Sequence, residues 1–182
     1  MTSNMNMTVV PRPPASRAKI LIVDDTESNR IAFKSILESP RHEIFQASDG
    51  LEALQLLIQH DFAVILLDIR MPNMGGLETA QNVRARKRSR FTPIIFLSAY
   101  ETTPLEVSKG YVIGGVIDYL FSPVDPDMLR SKVSFLAELY LRNAEIERVL
   151  KELKDQNKAQ EARIQELQEL LPRSALDPQQ RE

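Results

Sequence analysis

The chain has 182 residues, 43% of them hydrophobic, a formal net charge of −2 and no cysteine. That is room for one domain of ordinary size plus an appendage, without a global pull toward nucleic acid or an anionic membrane and without disulfides, thiolate metal sites or a cysteine nucleophile. No apolar run approaches the roughly 20 residues that span a bilayer, and no signal-peptide segment opens the chain, so the expectation is a cytoplasmic protein with neither nucleic-acid nor membrane partners.

Residues 1–18 combine Ser, Thr, Asn and three prolines with no regular period, which predicts a disordered leader. Lys19–Asp25 (KILIVDD) reads as a short strand ending in two adjacent carboxylates, Asp24 and Asp25, and Thr26-Glu27-Ser28 starts a helix. Glu43–Ala47 is a weak second strand. The turn Ser48-Asp49-Gly50 leads into an amphipathic helix through Leu51, Leu54, Leu57 and Ile58.

Phe62–Pro72 (FAVILLDIRMP) places six apolar residues before Asp68 and a turn. A continuous apolar run of this length suits a strand covered on both faces, with Asp68 emerging at its carboxyl end. Open parallel sheets bind ligands at that edge, although a single aspartate there ordinarily caps the following turn. The turn MPNMGG carries two glycines, and a helix follows from about Leu77 to Arg88, ending in RARKRSR with five cations in seven residues. Those cations read as a complement to the helix carboxyl terminus and a solvated surface. Thr92–Ala99 is a fourth strand ending at Ser98, a helix lies around Pro104–Ile113, and Val116–Phe121 is a last strand before Ser122-Pro123 and one long helix.

Five strands alternating with helices predict a doubly wound α/β fold, a five-stranded parallel sheet of flavodoxin-like order 2-1-3-4-5. Its switch point lies between the first and third strands, where Asp24, Asp25 and Asp68 meet. Two carboxylates about 4 Å apart at an effective dielectric of about 20 repel by roughly 4 kcal/mol, enough to raise one pKa by about three units. A hard divalent cation would compensate, and carboxylate oxygens suit Mg²⁺ with part of its coordination left open. The cluster fits either the acid/base pair of a hydrolase or a carboxylate nucleophile accepting a phosphoryl group. His42 and His60 lie away from this edge and assist neither.

Together, ILIVDD, LLDIRMPNMGGLE, the Ser98-Ala99 pair and DYLFSP resemble the receiver domain of two-component response regulators over about Lys19–Arg142. The resemblance implies that Asp68 is the phosphoacceptor, phosphorylated by a histidine kinase or phosphotransfer protein. It implies Mg²⁺ bound by Asp25, Asp68 and the main-chain carbonyl of Arg70, with Asp24 assisting through water. Ser98 matches the hydroxyl that senses the phosphoryl group, and Tyr119 the aromatic that changes rotamer with it. The expected protein is a switch rather than an enzyme, with slow self-catalysed phosphoryl transfer at most.

One position departs from the family pattern. Where the family has lysine before the proline of the last-strand motif, this chain has Ser122 before Pro123. A serine offers one neutral hydrogen bond, whereas an ammonium contributes a charge-assisted bond worth roughly 1.5–3 kcal/mol. Its loss would weaken the coupling of phosphorylation to shape by about 10- to 100-fold in population. Lys109 sits within a predicted helix and is not expected to replace it. The family's Lys–Pro bond is cis, and the resemblance extends that expectation to Ser122–Pro123.

From Asp127 to Leu171 there is neither Gly nor Pro. With Leu136 at heptad position a, the successive a and d residues are Leu136, Leu139, Asn143, Ile146, Leu150, Leu153, Asn157, Gln160, Ile164, Leu167 and Leu171, of which eight of eleven are Leu or Ile. The spacing predicts a coiled coil over 136–171, continuous with the last helix of a receiver over 19–135 and followed by a disordered tail over 172–182. The helix and coil together would reach nearly 70 Å at about 1.5 Å per residue. Asn143 and Asn157 at a positions favour a parallel homodimer, although their spacing leaves one staggered pairing open. Arg142 at g facing Glu147 at the partner's e would support the in-register form. The alternative is a helix that folds back on its receiver or binds another protein's helix.

Three functions are compatible with these features: a phosphorylated response regulator signalling through a coiled-coil dimer, a degenerate receiver acting as a constitutive dimeric scaffold, and the regulatory fragment of a signalling enzyme with a catalytic domain after the coil. No helix-turn-helix pattern follows the receiver, which disfavours a transcription factor.

Overall fold

The computed structural model describes residues 17–98, 108, 112–113 and 116–170. The ordered elements are β1 (Ala18–Val23), α1 (Glu27–Leu37), β2 (His42–Ala47), α2 (Gly50–Gln59), β3 (Val64–Asp68), α3 (Gly76–Ala85), β4 (Ile94–Ser98), β5 (Val116–Phe121) and α4 (Pro126–Leu170). The chain divides into two compact units at Leu141/Arg142. All strand pairs are parallel, in the order β2-β1-β3-β4-β5, as the alternation of strands and helices predicts.

The apolar runs of β1, β3 and β4 fill both faces of this sheet, because successive side chains of a strand point to opposite sides. Leu21, Val23, Ile65, Leu67, Ile94 and Phe96 pack with Leu54 and Leu57 of α2 and with Ala80 and Val83 of α3. Ile20, Ile22, Val64, Leu66, Ile95 and Leu97 pack on the other face with Leu37 of α1 and with Leu129, Val133 and Leu136 of α4. Such side chains, withdrawn from water, each contribute about 1.5–3 kcal/mol.

Three boundaries differ from expectation. Ala18 belongs to β1 rather than to a leader: it is fully buried, pairs with His42, and its N–H donates to the Arg41 carbonyl at 2.9 Å. Helix α3 stops at Ala85 rather than Arg88 because the basic segment has other partners. The Arg86 guanidinium donates to the Leu54 carbonyl at 3.0 Å, and Arg88 donates to the Ile58 carbonyl at 3.2 Å and to the Asp61 carboxylate at 2.7 Å. Two of the five cations thus bind the α3–β4 connection to the middle and the end of α2.

The third boundary concerns Leu136, which is only 7% exposed and lies in the sheet core. It is therefore a receiver residue and not the first contact of a coil seam. From Leu139 onward the seam is open: Leu139, Ile146, Leu150, Leu153, Ile164 and Leu167 are 46–56% exposed. Leu171, the predicted helix around Pro104–Ile113 with Lys109, and both predicted disordered ends fall largely outside the described residues. Among the described residues no helix is long and apolar enough to cross a membrane.

Candidate functional site

The central strands bring the acids together. In the β1–β3 register Val23 pairs with Leu67, so Asp24 and Asp68 emerge side by side at the carboxyl edge. One carboxylate oxygen from each of Asp24, Asp25 and Asp68 lies within 4.8 Å of the others. Asp24 is buried, Asp25 exposed and Asp68 half-buried.

Asp24 is held from several directions. Its carboxylate accepts the Thr26 N–H at 2.8 Å and the Asn29 side-chain amide at 3.1 and 3.2 Å, while Arg30 donates to its main-chain carbonyl at 2.7 Å. Burial raises its pKa above the ordinary carboxylate value, against the Thr26 and Asn29 hydrogen bonds, while the charge of Asp25 adds to the rise and Arg30 opposes it. Asn29 and Arg30 were not singled out in the sequence. The signal was available: they lie five and six residues beyond Asp24, where the first turns of a helix return to the strand end.

Burial is also the main reason why the Asp68 carboxyl is pushed up to about 6, opposed by the Arg70 N–H and reinforced by the charges of Asp24 and Asp25. The turn after it is tightly built. The Ile69 N–H donates to Leu97 at 3.2 Å, and the Gly76 N–H donates back to Ile69 at 3.0 Å. Asn73 adopts the left-handed region with φ 65°, which asparagine tolerates better than most residues. Gly76 is required by close approach: a Cβ there would stand 2.1 Å from the Asp68 main-chain oxygen.

Strand register brings Ser98 to this edge and sets Tyr119 two residues short of it. Asp68 pairs with Leu97, so Ser98 is the next residue on β4; it is 2% exposed and its carbonyl accepts the Ser122 N–H at 2.8 Å. Tyr119 on β5 is buried, its ring 5.2 Å from Phe96 and 6.4 Å from Phe121. Ser122 is exposed, and its bond to Pro123 is cis.

A divalent cation fits this donor set. Three hard carboxylates converge, and their burial and mutual repulsion already hold Asp68 and Asp24 above the ordinary carboxylate range, a cost that a bound cation relieves.

The model of the response regulator receiver domain matches residues 20–134. A probable cyclic di-GMP phosphodiesterase of Vibrio cholerae is 37% identical over 118 residues, covering 65% of this chain and 26% of the relative. The CAI-1 autoinducer sensor kinase/phosphatase CqsS of the same organism is 32% identical over 133 residues, covering 72% and 19%. The transcriptional regulatory protein SrrA of Staphylococcus aureus is 39% identical over 110 residues, covering 59% and 43%. The chain thus spans less than half the length of these relatives. Among solved structures, the chemotaxis protein CheY4 of Vibrio cholerae is similar with a TM-score of 0.61 and 34% identity, over 66% of this chain and 99% of that one. The receiver domain of the Francisella response regulator 1452 gives a TM-score of 0.59 and 31% identity, over 68% and 99%. With the family match lying across the sheet and its acidic edge, the chain belongs to the response regulator receiver domain family.

Proposed function

We propose that this chain is a phosphoryl-accepting switch whose acceptor is Asp68. The observation that carries this reading is the convergence of Asp24, Asp25 and Asp68 within 4.8 Å at the carboxyl edge of the sheet. A carboxylate oxygen of Asp68 attacks the phosphorus of a phosphohistidine on a histidine kinase or phosphotransfer protein. The P–O bond to Asp68 forms, the P–N bond breaks, and the imidazole leaves with the bonding pair. Asp68, pushed up to about 6, is mostly ionised at neutral pH and available as the nucleophile.

Asp25, Asp68 and the main-chain carbonyl of Arg70 would hold Mg²⁺, with Asp24 assisting through water. Bound there, Mg²⁺ supplies neutralisation of the transferring phosphoryl charge. The Thr26 and Asn29 hydrogen bonds on Asp24 support its indirect role, because they already occupy part of its acceptor capacity. Ser98 is the hydroxyl at the phosphoryl group, and Tyr119 is the aromatic that responds to it. The signal leaves through β5 and α4 to a parallel homodimer formed on the seam from Leu139 to Leu171, in the cytoplasm.

Two observations favour other readings of the output. The exposed serine at position 122, in place of lysine, favours a receiver that binds metal but serves as a constitutive dimeric scaffold. The similarity to a relative named as a probable cyclic di-GMP phosphodiesterase, of which the chain covers 26%, favours a regulatory segment of a longer signalling enzyme.

Phosphorylation by a small-molecule phosphodonor with Mg²⁺, in wild type and Asp68→Asn, tests the switch. The expected result is a phosphoprotein in wild type alone. A phosphoprotein that persists in Asp68→Asn, or none in either, overturns it. Phosphorylation that leaves Tyr119 and the assembly unchanged selects the scaffold reading.

A further inference from the structure

The two adjacent acids at the end of β1 are held differently. Asp25 is exposed and, among the described residues, accepts a single hydrogen bond, from the Thr26 hydroxyl at 3.2 Å. Asp24 is 3% exposed. Its Oδ1 accepts the Thr26 N–H at 2.8 Å and the Asn29 amide at 3.2 Å. To its Oδ2 the Asn29 amide, at 3.1 Å, is the one donor among the described residues. The Thr26 donor is main chain, so every residue except proline would supply it there. Asn29 is a choice of side chain: it stands exposed in the first turn of α1, and its amide reaches back to both oxygens of Asp24.

We propose that Asn29 is a positioning residue that sets the ion preference of the acidic edge: by occupying Oδ2 it keeps the Asp24 carboxylate one water away from the metal. This rests on the Mg²⁺ reading above. Mg²⁺ is held octahedrally at about 2.0–2.1 Å by one or two carboxylates and keeps several waters, whereas Ca²⁺ takes about six to eight oxygens at about 2.3–2.6 Å in a flexible geometry. Asp25 and Asp68 already make two carboxylates. With Oδ2 released, a third is free to ligate directly, an arrangement that suits Ca²⁺ and closes a position that a phosphoryl oxygen needs. Asn29 thus favours Mg²⁺ and leaves the site open to a phosphodonor.

Calorimetric titration of the full chain with Mg²⁺ alone and with Ca²⁺ alone tests this in wild type, Asn29→Ala, Asp24→Asn and the double variant. Asn29→Ala is expected to lower the ratio of the Ca²⁺ to the Mg²⁺ dissociation constant by roughly five-fold or more. The double variant is expected to show the same ratio as Asp24→Asn alone, because the gain runs through the Asp24 carboxylate. An unchanged ratio in Asn29→Ala, or an equal weakening of both ions as for a merely structural contact, overturns the proposal and leaves the metal reading standing. A shift that persists in the double variant overturns it as well, since Asp24 is then not the group that Asn29 restrains. Binding of neither ion by the wild type overturns both. A circular dichroism spectrum of Asn29→Ala matching that of the wild type, expected for an exposed helical residue, establishes that the receiver remains folded.

Discussion

Asp68 carries a proton to higher pH in the folded chain than in the unfolded one, from an ordinary value of 3.8 to about 6. Between these values the folded state binds more protons, so this residue's contribution to stability is full below about pH 4 and is lost as pH rises through about 6. In metal-free protein at pH 7.5, Asp68→Asn is therefore expected to be more stable than wild type by about 1 kcal/mol, after allowing for solvent screening of a half-exposed group. Urea midpoints at pH 7.5 and pH 4 check this: the advantage should vanish at the lower pH, and Mg²⁺ should narrow it at the higher one by stabilising wild type. Ser122 gives a second prediction at the same scale. Ser122→Lys restores a charge-assisted donor and should strengthen the phosphodonor-dependent change in tyrosine fluorescence by about 10-fold in population. An equal response in both proteins would show that the lysine is not needed here.

At the scale of the elements, the acidic edge depends on a backbone contact between the end of β3 and the start of α3. A Cβ at Gly76 would meet the Asp68 main-chain oxygen at 2.1 Å, and neither backbone segment has a flexible end that can yield. Gly76→Ala should cost about 2–3 kcal/mol in urea unfolding and displace the turn after Asp68. The arginines after α3 are a smaller case of the same kind. Arg86→Ala leaves the Leu54 carbonyl without its guanidinium donor and should cost about 1–2 kcal/mol. In the sequence both features were present but silent: two adjacent glycines announce a turn without saying which one touches another strand, and a run of cations resembles a solvated surface until its carbonyl partners appear.

For the whole molecule, the proposed seam of α4 makes a dimer the expected state in solution. Light scattering of the full chain should give twice the 20.7 kDa chain mass at micromolar concentration, and a monomer would contradict the coil. Asn143 and Asn157 are expected to limit the assembly to two strands at some cost in stability. The double replacement Asn143→Leu with Asn157→Leu should raise the melting temperature while spreading the mass distribution toward higher oligomers. Unchanged mass and melting temperature would show that neither asparagine faces a partner.

The sheet order and the convergence of Asp24, Asp25 and Asp68 were legible in the sequence because both follow from local pattern. Apolar runs mark the strands, alternation with helices dictates right-handed parallel crossovers, and acids that end neighbouring strands must meet. Tertiary structure alone decided that Ala18 is a strand residue, that Arg86 and Arg88 bridge to α2, that Asn29 and Arg30 fasten Asp24, and that Leu136 belongs to the core rather than to the seam. The reason is common to all four. A periodic pattern states that a face is apolar or charged, but the burial of that face depends on which surface lies opposite, and for Leu136 the sheet of its own chain is already there.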